Sequence, residues 1–146
     1  MKKHMESLLI TGCCALALST SAMAAGPLAI TGTDKNIQWA PCPPFFEQTC
    51  RLGVLHGNPA EPNADVFFRL DGGEAFPTHT HSSAERMVLV QGKLRVEYEG
   101  HDAVTLEPGT YAYGPAEMPH KGQCLSEERC ILFIAFEAPV DAFAVD

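Results

Sequence analysis

Short apolar segments separated by turn residues fill the second half of the chain. Within Leu94–Tyr98, apolar and charged positions alternate, so the apolar side chains share one face of an extended strand. The same alternation in residues 85–90 places Glu85 on the side of Met87 and Leu89. No stretch keeps a helical period over three turns. The pattern therefore predicts an all-β chain, an antiparallel sandwich or barrel built from short strands.

The first half of the chain has a different pattern. Residues 25–62 are irregular and rich in proline, and they predict an arm with one or two strands that wraps the domain. Trp39 is expected to pin this arm to the barrel formed by residues 63–146. The predicted strands cover residues 51–55, 66–70, 86–90, 94–98, 104–106, 111–113 and 131–136.

Residues 1–24 have the layout of a secretory signal peptide. A positive start with Lys2 and Lys3 precedes an apolar run, and Ala22-Met23-Ala24 forms a small-x-small cleavage site. The run is shorter than the ~20 apolar residues of a membrane span. Lipidation at Cys13 is the alternative. We therefore expect a secreted or periplasmic protein without a membrane span.

The net charge of the chain limits the classes of partner that it can bind. The formal net charge is −8 at pH 7, and no basic patch is visible in the sequence. Such a chain repels phosphate backbones and anionic membrane surfaces, so nucleic acid is excluded as a partner and a small-molecule ligand is expected. The length suits one domain, and a homodimer remains open.

Six cysteines are present, and Cys13 and Cys14 fall within the expected signal peptide. The remaining four are Cys42, Cys50, Cys124 and Cys130. An even number in an exported protein favours disulfides, and four cysteines allow three pairings. The local pairing is preferred, with Cys124 and Cys130 flanking a hairpin turn. Buried free thiols are the alternative.

The strongest chemical signal is a set of histidines near one carboxylate. His79 and His81 are two residues apart, so on a strand they project from the same face. A short connection leads to Glu85, and His120 follows Pro119 on a later segment. Three imidazoles and a carboxylate suit one divalent ion of Fe, Mn, Zn, Ni or Cu, and not Ca or Mg. A polar barrel mouth without metal is the alternative.

These residues occur in a spacing that resembles the two motifs of the cupin superfamily. The first motif is matched at Gly73, His79, His81, Glu85 and Gly92, and the second at Gly109, Pro115, Pro119 and His120. Glu117 and Cys124 depart from it, standing where Gly and Asn are usual. The resemblance covers residues 65–136. Residues 53–59 also resemble small cupins related to the sensor domain of anti-sigma factors.

The resemblance implies a jelly-roll β-barrel that holds a metal inside on His79, His81, Glu85 and His120. Cupin reactions vary from dioxygenation to isomerisation, and some cupins only bind or sense ligands, so whether this chain is an enzyme stays open. A metal-dependent enzyme acting on a small oxygen-bearing molecule is favoured. Dioxygenase-like chemistry is preferred to isomerase-like chemistry because no strong protein base is evident. The alternative is a non-catalytic module that binds or senses a small molecule or metal.

Three further residues are candidates for the site. Glu117 is a candidate catalytic acid or base, although it also suits a solvated loop. Arg69 is a candidate for holding an anionic substrate, although a surface position is the preferred interpretation. Tyr113 is a candidate substrate contact or a core residue.

Overall fold

A computed structural model describes residues 26–47 and 49–145, and almost all regular structure in these residues is β-strand. The predicted signal peptide and its cleavage site lie outside the described residues. The strands are β1 Trp39–Pro41, β2 Cys50–His56, β3 Asp65–Leu70, β4 Ala75–Thr80, β5 Glu85–Gln91, β6 Leu94–Tyr98, β7 Val104–Leu106, β8 Tyr111–Gly114, β9 His120–Cys124, β10 Cys130–Phe136 and β11 Phe143–Ala144. A 3₁₀ helix spans Pro44–Phe46. The described residues contain no helix that is long and apolar enough to span a membrane.

The strands form two antiparallel sheets. The first sheet has the order β1-β2-β3-β10-β5-β8, and the second has the order β11-β4-β9-β6-β7. Their inner faces enclose one apolar core, whose fully buried side chains include Leu70, Leu89 and Leu94. The prediction of an all-β chain is confirmed, and the alternation along β5 buries Glu85 with Met87 and Leu89.

Four strands fall outside the predicted ranges, namely β1, β4, β9 and β11. In β9 the buried positions are His120, Gly122 and Cys124, so no large apolar side chain marks the inner face. The short strand β11 has only exposed residues. Apolar alternation therefore fails as a signal where a strand presents ligands or glycine to the interior.

The N-terminal arm is part of the barrel wall, because β1 and β2 extend the first sheet beyond β3. Its side chains also cover the outer face of that sheet, where Ile37 joins Phe67 and Ile131 in a second buried cluster. Trp39 packs against this cluster and lies under the Arg69 guanidinium, 4.7 Å from the ring centroid. Trp39 thus anchors the arm.

The structure contains the local pair of disulfides, Cys42–Cys50 and Cys124–Cys130. The second one does not flank a hairpin turn. It closes the connection between β9 of the second sheet and β10 of the first, so it ties the two sheets together. The first encloses the 3₁₀ helix and thereby fixes Phe46 against the core.

Mapping of the disulfides checks this pairing directly. Trypsin cleaves after Lys35, Arg51, Lys121 and Arg129. Without reduction, residues 36–51 should appear as one peptide lighter by two hydrogens, and residues 122–129 should remain linked to residues 130–146. Reduction should release both, and each bond removed should cost the fold about 2–3 kcal/mol. Any peptide linking Cys50 to Cys124 would contradict the pairing.

Candidate metal centre

Three strands of the second sheet align the polar residues of the barrel interior in one row. His79 on β4 lies opposite His120 on β9, and His120 lies opposite Tyr98 on β6. The Tyr98 ring stacks on the His120 imidazole with ring centroids 4.9 Å apart. Glu85 faces this row from the start of β5 in the first sheet. Sheet register therefore assembles residues that are far apart in the chain.

Each of the three imidazoles is oriented by a backbone carbonyl. His79 Nδ1 lies 2.9 Å from the Pro77 carbonyl oxygen, and His120 Nδ1 lies 3.1 Å from that of Met118. His81 Nδ1 contacts the carbonyl of Asp141 in the C-terminal segment. A carbonyl only accepts, so each Nδ1 donates a hydrogen and each Nε2 keeps a free lone pair. Carbonyl partners of this kind set the tautomer of metal-binding histidines.

The free nitrogens converge. One ring nitrogen of each of the three histidines lies within 4.8 Å of those of the other two. The Glu85 carboxylate reaches the same point, with Oε1 3.3 Å from His81 Nε2 and Oε2 3.5 Å from His120 Nε2. All four side chains are buried.

Burial keeps two of the histidines in the protonation state that coordinates a metal. Desolvation, with a smaller contribution from His120, lowers the pKa of His79 to about 3. Desolvation also lowers the pKa of His120 to about 4. Both imidazoles are therefore neutral at pH 7, as a metal ligand must be. Desolvation raises the pKa of Glu85, and the nearby His81 opposes that rise.

The buried side-chain atoms without a hydrogen-bond partner point to a bound cation. Among the described residues they are His81 Nε2 and the Tyr98 hydroxyl, and both belong to this site. An unpaired buried polar atom costs about 1–3 kcal/mol, which a cation on His81 Nε2 would remove. The residues present therefore fit a divalent transition-metal ion.

An apolar cavity of about 140 Å³ opens from the histidines into the barrel. Its walls include Phe46 from the disulfide-closed loop and Val140, Asp141 and Ala142 from the C-terminal segment. Both ends of the domain thus cover a cavity whose polar end carries the three histidines.

This fold and site agree with a family model. Residues 29–139 match the model described as the ChrR cupin-like domain, and this range includes the arm, the barrel strands and all four candidate ligands. The chain belongs to the ChrR cupin-like family. No protein with curated annotation matches this cupin at a significant level of sequence similarity.

Solved structures share the fold of this cupin at low sequence identity. The DMSP lyase DddQ from Ruegeria pomeroyi superimposes with a TM-score of 0.64 at 17% identity, over 75% of this chain and 61% of the lyase. The polyketide cyclase RemF from Streptomyces resistomycificus superimposes with a TM-score of 0.66 at 13% identity, over 82% of this chain and 87% of the cyclase. An RmlC-like cupin from Shewanella frigidimarina superimposes with a TM-score of 0.59 at 19% identity, over 72% of this chain and 86% of that cupin. This cupin thus spans less than two thirds of the lyase, and the likeness concerns the fold.

The three auxiliary candidates lie away from the cavity of this cupin. Arg69 alternates with the buried Phe68 and Leu70, so strand parity turns it to the outer face and onto Trp39. Tyr113 is 54% exposed on β8. Glu117 is exposed, adopts a left-handed φ of 60° and donates its backbone N–H to the His81 carbonyl. None of the three lines the cavity.

Two cavity residues were missed from the sequence. Tyr98 was recognised only as the last position of an alternating strand, although its place opposite His120 is fixed by the register of β6 and β9. Asp141 carried no signal, because it acts through its backbone carbonyl on His81. The register of β6 could have indicated Tyr98 only after β9 had been recognised as a strand.

The metal-free protein should lose stability as the pH falls. His79 and His120 stay unprotonated in the fold down to pH about 3 and about 4, whereas unfolded histidine takes up its proton near pH 6.5. Below pH 6.5 the unfolded state therefore binds more protons than the folded state, and the free energy of unfolding decreases as the pH decreases. From pH 7 to pH 5 each histidine should remove roughly 2 kcal/mol. Urea unfolding at the two pH values measures the loss.

Glu85 acts in the opposite direction. Its folded pKa is raised, so between that value and 4.5 the fold binds its proton more tightly than the unfolded chain and offsets part of the loss. The variant His120→Gln should flatten the profile, whereas substitution of the exposed His101 by Gln should leave it unchanged. An unfolding free energy that is equal at pH 7 and pH 5 would contradict the burial of neutral imidazoles.

Proposed function

We propose that this cupin is a metal-dependent enzyme acting on a small oxygen-bearing molecule, with oxidation as the favoured reaction. The observation that carries the proposal is the convergence of three histidines whose Nδ1 atoms are all held by backbone carbonyls. This convergence occurs at the polar end of a cavity large enough for a small molecule. A purely structural cluster of histidines would not require a cavity beside it.

His79, His81 and His120 would hold the ion through Nε2, and Glu85 would add one carboxylate. Three neutral imidazoles and one carboxylate carry a charge of −1, so a divalent ion leaves the centre with a net charge of +1. The mixed nitrogen and oxygen donors suit Fe, Mn, Zn, Ni or Cu. When bound, the ion would supply Lewis-acid polarisation of a substrate oxygen or, as Fe(II), activation of dioxygen.

The chain itself supplies few groups for proton transfer. Glu85 belongs to the ligand set, and the Asp141 carboxylate accepts hydrogen bonds from the Ser82 backbone and hydroxyl. Burial and the Glu85 carboxylate raise the pKa of Tyr98, so its hydroxyl stays protonated at neutral pH. Isomerisation requires a base to move a proton, whereas oxidation does not require a strong one. The cavity therefore supports oxidation better than isomerisation.

A binding or sensing module is the second candidate. The same lack of a free base in the cavity supports it, and so does the resemblance of residues 53–59 to small cupins related to the sensor domain of anti-sigma factors. The solved structures with this fold do not decide between the two, since they include a DMSP lyase, an oxalate decarboxylase and a polyketide cyclase. One fold supports several chemistries.

Turnover separates the two candidates. Fe(II)-loaded protein should consume dioxygen with at least one member of a panel of short carboxylates, carbonyl compounds and phenols, with product detected by mass spectrometry. The variant His81→Ala should neither consume dioxygen nor form product. The variant His101→Ala, which replaces an exposed histidine, should match the wild type. Saturable binding of a panel member without any product would favour the binding module.

We further propose that the protein is exported and that cleavage follows Ala24. The two disulfides support an oxidising compartment. The mature protein purified from its native host should begin at Ala25 by intact-mass analysis. An intact Met1, or a lipid on Cys13, would overturn this proposal.

A further inference from the structure

The cavity has one polar end, and the rest of its wall is apolar. Apart from the four candidate ligands, the polar side chains on the wall are Tyr98 and Asp141, and Asp141 is engaged by Ser82. Among the residues that the structure describes, no lysine or arginine lines the cavity. The apolar wall is formed mainly by Phe68, Phe76, Met87, Leu132, Ile134 and Phe136.

The size of the cavity limits the ligand as strictly as its polarity does. Its volume of about 140 Å³ is close to that of an engineered cavity of about 150 Å³ that binds benzene. A molecule of roughly six non-hydrogen atoms fills such a space. Sugars and nucleotides exceed this size, and their hydroxyl and phosphate groups would find no partners on the apolar wall.

The Tyr98 hydroxyl is placed to donate a hydrogen bond at the polar end. It is buried and has no hydrogen-bond partner. Room for it comes from Gly114, which pairs with Glu85 across β5 and β8. A Cβ at residue 114 would lie 2.7 Å from the hydroxyl and 3.3 Å from Glu85 Oε2. The hydroxyl and the carboxylate thus both face Gly114, and the oxygen of a bound molecule would provide the acceptor that the hydroxyl lacks.

We infer that the cavity takes a compact ligand with one carboxylate or carbonyl group and an otherwise apolar body. The oxygen-bearing group lies at the histidine end and accepts a hydrogen bond from Tyr98, while the apolar body lies against the aromatic and aliphatic wall. This inference rests on the proposed metal centre, whose net charge of +1 matches one anionic group and not two. A second carboxylate, or a distal hydroxyl, would be buried without a partner.

Two isosteric probes test the apolar wall. Butyrate and 3-hydroxypropionate share a carboxylate and differ only in a terminal methyl or hydroxyl group. Each is titrated into Co(II)-loaded protein and followed by the visible absorption of the ion. Butyrate should bind about tenfold more tightly than 3-hydroxypropionate, because a buried hydroxyl without a partner is costly. Malonate, with two carboxylates, should bind more weakly than butyrate.

Matched tyrosine variants test the hydrogen bond. Tyr98→Phe should keep one Co(II) per chain and lose roughly tenfold in butyrate affinity, as expected for a hydrogen bond to a charged group. Tyr111→Phe, which alters a tyrosine that is 60% exposed, should keep the wild-type affinity.

The outcomes separate this inference from the proposed function. If the wild-type protein does not bind Co(II), the proposed metal centre itself is wrong. If Co(II) binds but 3-hydroxypropionate or malonate equals butyrate, the apolar selectivity is wrong. If Co(II) binds and Tyr98→Phe keeps wild-type butyrate affinity, the role of Tyr98 is wrong.

Discussion

Replacing His81 with Ala should abolish stoichiometric metal binding while leaving a folded barrel. His81 Nε2 is a buried ligand atom without a hydrogen-bond partner in the described residues, so its loss removes a coordinate bond and, within the protein, only the contact of its Nδ1 with the Asp141 carbonyl and its proximity to Glu85. Affinity should fall by more than about 100-fold, because even changes outside the ligand shell cost 10–100-fold. The two disulfides and the apolar strand faces stay intact. Elemental analysis of protein dialysed against metal gives the stoichiometry, and circular dichroism reports the fold.

The matched control is His101→Ala, since His101 is an exposed histidine outside the cavity. It should retain one ion per chain. If the His81→Ala protein keeps one tightly held ion, the metal site is elsewhere. If both variants lose the ion, the binding seen in wild-type protein was not specific to the barrel interior.

Loosening the C-terminal segment should weaken metal binding without touching a ligand. The Asp141 carbonyl contacts His81 Nδ1, and the Asp141 carboxylate holds the segment to Ser82 through the backbone N–H at 3.0 Å and through the hydroxyl. Asp141→Ala should reduce metal affinity about tenfold, and truncation after Ala138 should approach 100-fold, the range found for partners of ligating histidines. Competition with a chromophoric chelator measures both.

Glu137→Ala provides the comparison. Glu137 is also acidic and also paired, but its partner is Arg86 at the exposed surface, where an ion pair contributes little. The Glu137→Ala protein should bind the metal with the affinity of the wild type. An Asp141→Ala protein with unchanged affinity would show that the Ser82 contacts are not needed to hold the Asp141 carbonyl against His81.

The candidate ligands were predictable because their spacing is local and their type is chemically specific. His79 and His81 share a strand face in any register, and the alternation of β5 sets the direction of Glu85 from its neighbours Met87 and Leu89. His120 was recognised through the second motif and not through a strand pattern. Its strand presents a histidine, a glycine and a cysteine inward, which leaves no apolar period to detect.

The cavity residues were not predictable, because pairing between distant strands creates their roles. Arg69 and Tyr113 carry suitable groups, but strand parity turns both outward. Tyr98 gains its position from the register between β6 and β9, and Asp141 from the return of the chain to β4. A backbone carbonyl has no sequence signature, so the partner of His81 could come only from a three-dimensional structure.

The two covers of the cavity differ in how they are held. The loop that carries Phe46 is closed covalently by Cys42–Cys50. The C-terminal segment has no covalent closure and is held by hydrogen bonds to Pro59, Thr78, His81 and Ser82 and by the two residue pairs of β11, Phe143 with Thr80 and Ala144 with His79. A short exposed strand opens by local unfolding far more readily than a disulfide-closed loop. Exchange of the ion or its ligand with solvent should therefore proceed on the C-terminal side, at the rate at which the amides of residues 140–145 exchange their hydrogens. The residence time of a molecule bound in the barrel would therefore be set by the opening of the C-terminal segment.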